Sequence, residues 1–154
     1  CAACGAISAA ANSRTLARLG DALLATQADD TAASPEKAMQ ALAAAYVGFA
    51  LDNGRLWSAL FDHRLPEGVE TPDWHKQDHA VLIEVLLKPL SALRPDLDSG
   101  ALTLRARTLF AAVNGVVQLS LQGRFVGVPR DQLASEVAAL VSAMTRGSYI
   151  ASGG

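Results

Sequence analysis

Residues 34–61 read SPEKAMQALAAAYVGFALDNGRLWSALF, and this stretch holds one helix with both its ends and the start of the next. Ser34, Pro35 and Glu36 together form a helix start. The serine oxygen can accept from a first-turn amide, proline lacks only an N–H that is not needed there, and the acid sits at the positive end of the helix dipole. Met39, Leu42, Ala43, Tyr46, Phe49 and Ala50 then recur at three- and four-residue intervals, one broad apolar face of a helix reaching about Asp52. Asn53-Gly54 ends it. From Arg55 to about Arg64 the pattern predicts a short helix that buries Leu56, Trp57, Leu60 and Phe61, before Pro66, Gly68 and Pro72 break the chain.

The same reading extends outward in both directions. Upstream, Leu16, Leu19, Leu23 and Leu24 share one face of a helix over 13–26, with Asn12 or Ser13 as its cap and Gln27 to Thr31 as a loop. Downstream, Thr71-Pro72-Asp73 opens a helix from about Pro72 to Leu93, along which His75, His79, Leu82 and Leu86 form a stripe. Pro89 lies inside that helix and deprives the Val85 carbonyl of its helical donor, which predicts a kink or a break near Lys88. Asp98 or Ser99 caps a fifth helix, about Gly100 to Gln122. Gly123 through Pro129 separate it from a sixth, about Arg130 to Arg146, and Phe125-Val126-Gly127-Val128 is too short and isolated to pair as a strand. The fold class is therefore all-α, with six helices and no internal repeat. One domain is expected over 13–146, between a poorly structured N-terminal remnant at 1–12 and a flexible tail at 147–154.

Composition agrees with a single packed domain. The chain has 154 residues, 51% hydrophobic and 18% charged, and a chain of that length buries roughly 70% of its unfolded surface. A net charge of -2 leaves no footprint for a phosphate backbone, so any DNA partner is touched by other residues. Cys1 and Cys4 are the only cysteines. Their Cys-Ala-Ala-Cys spacing lacks the βαβ setting of a redox motif, and a chain without a disulfide framework fits a reducing cytoplasm. No apolar run approaches the roughly 18 residues of a membrane span.

The last two helices are apolar on more than one side. On the fifth, Phe110, Asn114, Val117 and Leu121 form one stripe, while Ala112, Val116 and Leu119 form another about 200° away. The sixth carries Leu133, Val137, Leu140 and Met144 beside Ala134, Ala138 and Val141. Two helices apolar on opposite faces need two covers. A second copy of the chain supplies the outer one if the pair forms half of an intermolecular four-helix bundle, whereas the other helices of the same chain supply it if the domain stands alone.

Little here carries chemistry. His75 and His79 have the i, i+4 spacing that lets two imidazoles reach one metal ion, but Asp78 and Glu84 lie on other faces, so a third ligand would have to come from Asp62 or His63. The pair fits the rim of the bundle or the mouth of a pocket better. Asn114, mid-helix between Phe110 and Val117, is the stronger candidate for a buried polar contact. No nucleophile elbow, phosphate-binding glycine loop or paired Glu-x-x-His is present, which argues against an enzyme.

Ala45 to Phe61, an aromatic-rich helix ending at Asn53-Gly54 and followed by a short bulky helix, resembles a stretch typical of the regulatory domains of tetracycline-repressor (TetR) family transcription factors. Leu109-Phe110-Ala111-Ala112-Val113-Asn114-Gly115-Val116-Val117 is similar to an Ala-x-x-His-Gly-like element of one subfamily, with Asn114 where histidine is usual. The order and spacing of helices match from about Leu16 to Arg146. The resemblance implies a bacterial, cytoplasmic, homodimeric repressor whose helix-turn-helix head precedes this domain and cannot fit in residues 1–12, so that DNA is touched only through that absent head. It also implies a ligand cavity inside the bundle, walled by Tyr46, Phe49, Trp57, Phe61, Leu82, Leu86, Phe110 and Val117; by their positions His75 and His79 are candidates for its mouth and Asn114 for a polar contact within it. Such a wall suits a small hydrophobic effector and needs no cofactor. The rival readings are a stand-alone metal-binding protein or enzyme built on His75 and His79, and a pure dimerisation module with a filled core.

Overall fold

A computed structural model of the chain describes residues 2–28, 34–62, 73–123 and 126–146. Six helices account for nearly all of them, with no strand among the described residues: α1 (Ala2–Ala28), α2 (Pro35–Asp52), α3 (Gly54–Asp62), α4 (Asp73–Leu93), α5 (Ser99–Leu121) and α6 (Leu133–Thr145).

Several helix ends have the local causes that the sequence indicates. The Lys37 amide donates to Ser34 Oγ at 3.3 Å, and Pro35 occupies the first turn of α2. At the other end Asn53 closes α2 twice over, its backbone N–H and its Nδ2 both donating to the Phe49 carbonyl, at 3.0 and 2.9 Å. The next helix follows at once, with the Trp57 amide on the Asn53 carbonyl at 2.8 Å. Asp98 caps α5, its Oδ1 accepting from the Ala101 amide at 2.8 Å. Gly123, at φ 65°, ends α5 in the left-handed conformation that glycine adopts without a Cβ penalty. In the turn between α4 and α5 the Arg94 guanidinium holds Asp96 bidentately at 2.7 and 2.8 Å, which lowers the Asp96 carboxyl from its ordinary value.

Three helices differ from expectation. α1 begins at Ala2 rather than at Ser13, so residues 2–12, expected to be a poorly structured remnant, are helical. Their alanine content favours a helix without making an apolar stripe. Asn12 is buried at 8% exposure within α1 instead of capping it. α6 begins at Leu133 after a turn closed by the Gln132 amide on the Pro129 carbonyl at 3.0 Å, later than the expected Arg130.

The third difference concerns Pro89, through which α4 continues without a break. Proline cannot donate to the Val85 carbonyl one turn earlier. The side chain of Gln27, at the C-terminal end of α1, fills the gap: its Nε2 donates to Val85 O at 2.8 Å. An acceptor that would otherwise be stranded in a buried helix thus becomes a cross-link between α1 and α4.

The central helix is α2, which touches all five others. Its neighbours also pack on one another, α1 on α3 and α4, and α5 on α3, α4 and α6. The inner stripes meet in one core: Leu16, Leu19 and Leu23 of α1, Leu82 and Val85 of α4, Leu109, Val113 and Val117 of α5, and Leu133, Val137 and Val141 of α6. α3 has only nine residues, too few to be stable alone. Trp57, with no exposed surface, and Leu60 anchor it. A further tie runs from α2 to α6, where Gln40 Nε2 donates to the Ala138 carbonyl at 3.0 Å.

Candidate ligand cavity

Packing of these inner stripes leaves a small, partly open space of about 40 Å³ beside α2. Met39, Leu42, Ala43 and Tyr46, successive turns of one helical face, form its α2 wall. Leu23 comes from α1, Leu82 and Leu86 from α4, Leu109, Phe110 and Val113 from α5, and Val141 from α6. Among the described residues no charged side chain lines it. Tyr46 supplies the lining's lone side-chain oxygen, and that hydroxyl already donates to Asn114 Oδ1 at 3.0 Å. Burial pushes the Tyr46 phenol well above its ordinary pKa, which keeps it a neutral donor.

The space is large enough for about one water, but a water would find almost no polar partner there. An unfilled apolar void of this size costs about 1 kcal/mol in lost contacts. The aromatic side chains stand on one side of it. Tyr46 meets Trp57 edge-on with ring centroids 4.8 Å apart, and meets Phe110 at 5.6 Å. Phe49 approaches Trp57 at 6.5 Å and lies under Arg18, whose guanidinium carbon is 6.0 Å from the ring centre.

Of the expected pocket residues, Tyr46, Leu82, Leu86 and Phe110 line the cavity. Asn114 reaches it only through the Tyr46 hydroxyl. Trp57 and Val117 are wholly buried core, and Phe49 is half-buried behind Trp57. His79 is half-buried on α4 and does not line the cavity. The side chains of Phe61 and His75 lie outside the described residues. Among the described residues no three metal-ligating side chains come together. The lining residues not expected are Leu23, Met39, Leu42, Ala43, Leu109, Val113 and Val141. The available signal was their place on the inner stripes, which is the same for a cavity wall as for solid core.

The residues expected at an interface between copies separate into two groups. Leu133, Val137 and Val141 are buried inside their own chain at 0–3% exposure, because positions at i, i+4 and i+8 of α6 form its inner stripe. Ala112, Val116, Ala138, Leu140 and Met144 are half-buried, while Ala134 and Leu119 are exposed. A Cβ placed on Gly115 would meet nothing within 4 Å among the described residues, so none of the six helices approaches α5 closely there.

A family model described as Tetracyclin repressor-like, C-terminal domain matches residues 39–144. No curated protein matches the chain. The matched span runs from the first cavity residue of α2 almost to the end of α6, and takes in every lining residue except Leu23. With more than half of the chain matched and an all-helical fold of this order, the chain belongs to the family of tetracyclin repressor-like C-terminal domains, which are regulatory rather than enzymatic.

Proposed function

We propose that the chain is the effector-sensing and dimerisation domain of a tetracycline-repressor-type regulator. In this reading a small, uncharged, apolar molecule enters the cavity beside α2 and alters DNA binding by a helix-turn-helix head elsewhere on the protein. The observation that carries the reading is this apolar cavity, bounded by α1, α2, α4, α5 and α6 with no charged side chain among the described lining residues. A carboxylate or ammonium group placed there would lose its hydration without gaining a partner. The Tyr46–Asn114 pair offers one neutral polar contact if the effector displaces or extends it.

At about 40 Å³ the space is far below the roughly 300 Å³ at which small-molecule sites begin. Binding therefore requires a wider arrangement of the same helices, which the effector selects by binding it better. Met39 and the surrounding leucines make such repacking inexpensive, since unbranched and γ-branched side chains fill irregular gaps. Leu23 puts α1 in the moving wall. Widening the cavity then shifts the helix at the N-terminal side of the domain, where a head would attach.

The partly exposed apolar face of α5 and α6, carrying Ala112, Val116, Leu119, Ala134, Ala138, Leu140 and Met144, is the surface proposed for pairing with a second copy. Twofold pairing would link two cavities to two heads. The test uses the regulator with its head bound to operator DNA and a panel of apolar molecules. Neutral members should change operator affinity, and their carboxylate and ammonium analogues should not. Binding of neutral members with no change in operator affinity would overturn the proposal.

A further inference from the structure

A second, wider recess lies where the C-terminal end of α2, the first turns of α3, the end of α5 and the turn before α6 come together. It measures about 540 Å³ and is lined by Leu51, Gly54, Arg55, Ser58, Leu121 and Arg130. None of these residues lines the cavity beside α2, and its chemistry is the opposite. Arg55 and Arg130 bring two positive charges to one recess, and among the described residues neither makes an ion pair or a hydrogen bond. Asp52 and Asp131 are exposed close by in sequence, but neither lines the recess or pairs with the arginines. The Ser58 hydroxyl is half-buried and also without a partner among the described residues. Leu51 and Leu121, both half-buried, complete the wall with hydrocarbon.

An anion in the recess gains charge-assisted hydrogen bonds from guanidinium groups that have no acidic partner among the described residues. Guanidinium groups suit a carboxylate in particular, because their paired N–H donors match its two oxygens. A bare inorganic anion would use the arginines and leave the leucine wall idle. A neutral apolar molecule would do the reverse. The recess is broadly open to solvent, and its volume lies within the range of small-molecule sites. We propose that this recess binds a small amphiphilic carboxylate, its head on Arg55 and Arg130 and its hydrocarbon chain against Leu51 and Leu121. The regulator would then read two ligands of different charge type at two separate places.

Hexanoate, hexanol and inorganic phosphate serve as probes, titrated into the chain and followed through methyl and arginine side-chain NMR signals. The proteins compared are the natural chain and an Arg55→Gln, Arg130→Gln double variant; both positions are exposed, and equal thermal midpoints check that the fold is kept. Hexanoate should saturate signals of Leu51 and Leu121, bind about tenfold more weakly in the double variant, and weaken with added salt. Phosphate should bind the natural chain more weakly than hexanoate does, and hexanol binding should be equal in both proteins. Equal hexanoate affinity in the two proteins, no hexanoate binding at all, or phosphate binding as tight as hexanoate would each overturn the proposal. Because the cavity beside α2 is probed by hexanol, these outcomes leave the effector reading untouched.

Discussion

Replacing Gln27 by methionine should cost stability only while residue 89 is proline. Methionine keeps the length and volume of glutamine but removes its donors, so Gln27→Met leaves Val85 O with neither its helical partner, which Pro89 cannot be, nor the 2.8 Å bond from α1. Val85 is buried at 4% exposure, so solvent cannot replace the donor cheaply. A neutral hydrogen bond contributes about 1 kcal/mol, and an acceptor left stranded adds to that loss, which gives an expected cost of about 1–2 kcal/mol. In a Pro89→Ala background the new backbone N–H of residue 89 satisfies Val85 O within α4. There Gln27→Met should cost less than about 0.5 kcal/mol, leaving a coupling of about 1 kcal/mol between two residues on different helices. Urea unfolding of the four proteins, with unchanged denaturant slopes, measures this directly. Equal costs of Gln27→Met in the two backgrounds would refute the reasoning and reduce the contact to an incidental one.

Tyr46→Phe removes the donor to Asn114 Oδ1 and should lower stability by about 1 kcal/mol at neutral pH, as read by denaturant unfolding. The same variant has a pH signature. Because burial raises the folded pKa above the unfolded value of about 10, the stability contributed by the neutral phenol is complete below pH ~10 and is lost as pH rises through the higher folded value. The natural chain should therefore lose more stability than Tyr46→Phe above pH ~10, and parallel profiles would contradict the assignment. Gly115→Ala should raise the stability of the isolated chain by about 0.5–1 kcal/mol, since the new methyl meets nothing within 4 Å. Gly115 shares a helical face with Ala112 and Leu119, so sedimentation should also show weaker self-association in that variant; association that is unchanged would remove this face from the interface.

Legibility in the sequence followed the locality of the cause. Ser34, Asn53 and Asp98 act on amides or carbonyls within four residues, so the ends of α2 and the start of α5 can be read from spacing alone. The inner face of α2 was legible for the same reason, and it proves to be both core and cavity wall. What could not be read depends on distant partners. Nothing around Pro89 indicates that a glutamine 58 positions upstream of Val85 will satisfy its carbonyl. Nothing in residues 2–12 announces a helix through periodicity, because alanine propensity leaves no stripe. On α6 the sequence shows apolar positions on several sides, and only the packed structure separates Leu133, Val137 and Val141, inside, from Leu140 and Met144, half outside. The aromatic residues look like pocket walls in the sequence, yet Trp57 packs on Tyr46, Phe49 packs on Trp57, and the cavity is mostly aliphatic.

The proposed function requires that the space beside α2 open to admit an uncharged apolar molecule. Methyl-detected NMR of the chain during a hexanol titration tests it most directly. Saturating shifts are expected at Leu42, Leu86 and Val113, abolished by Ala43→Phe, which fills the cavity from the α2 wall. Shifts that grow without saturation, spare those three residues, or persist in Ala43→Phe would contradict the proposed function.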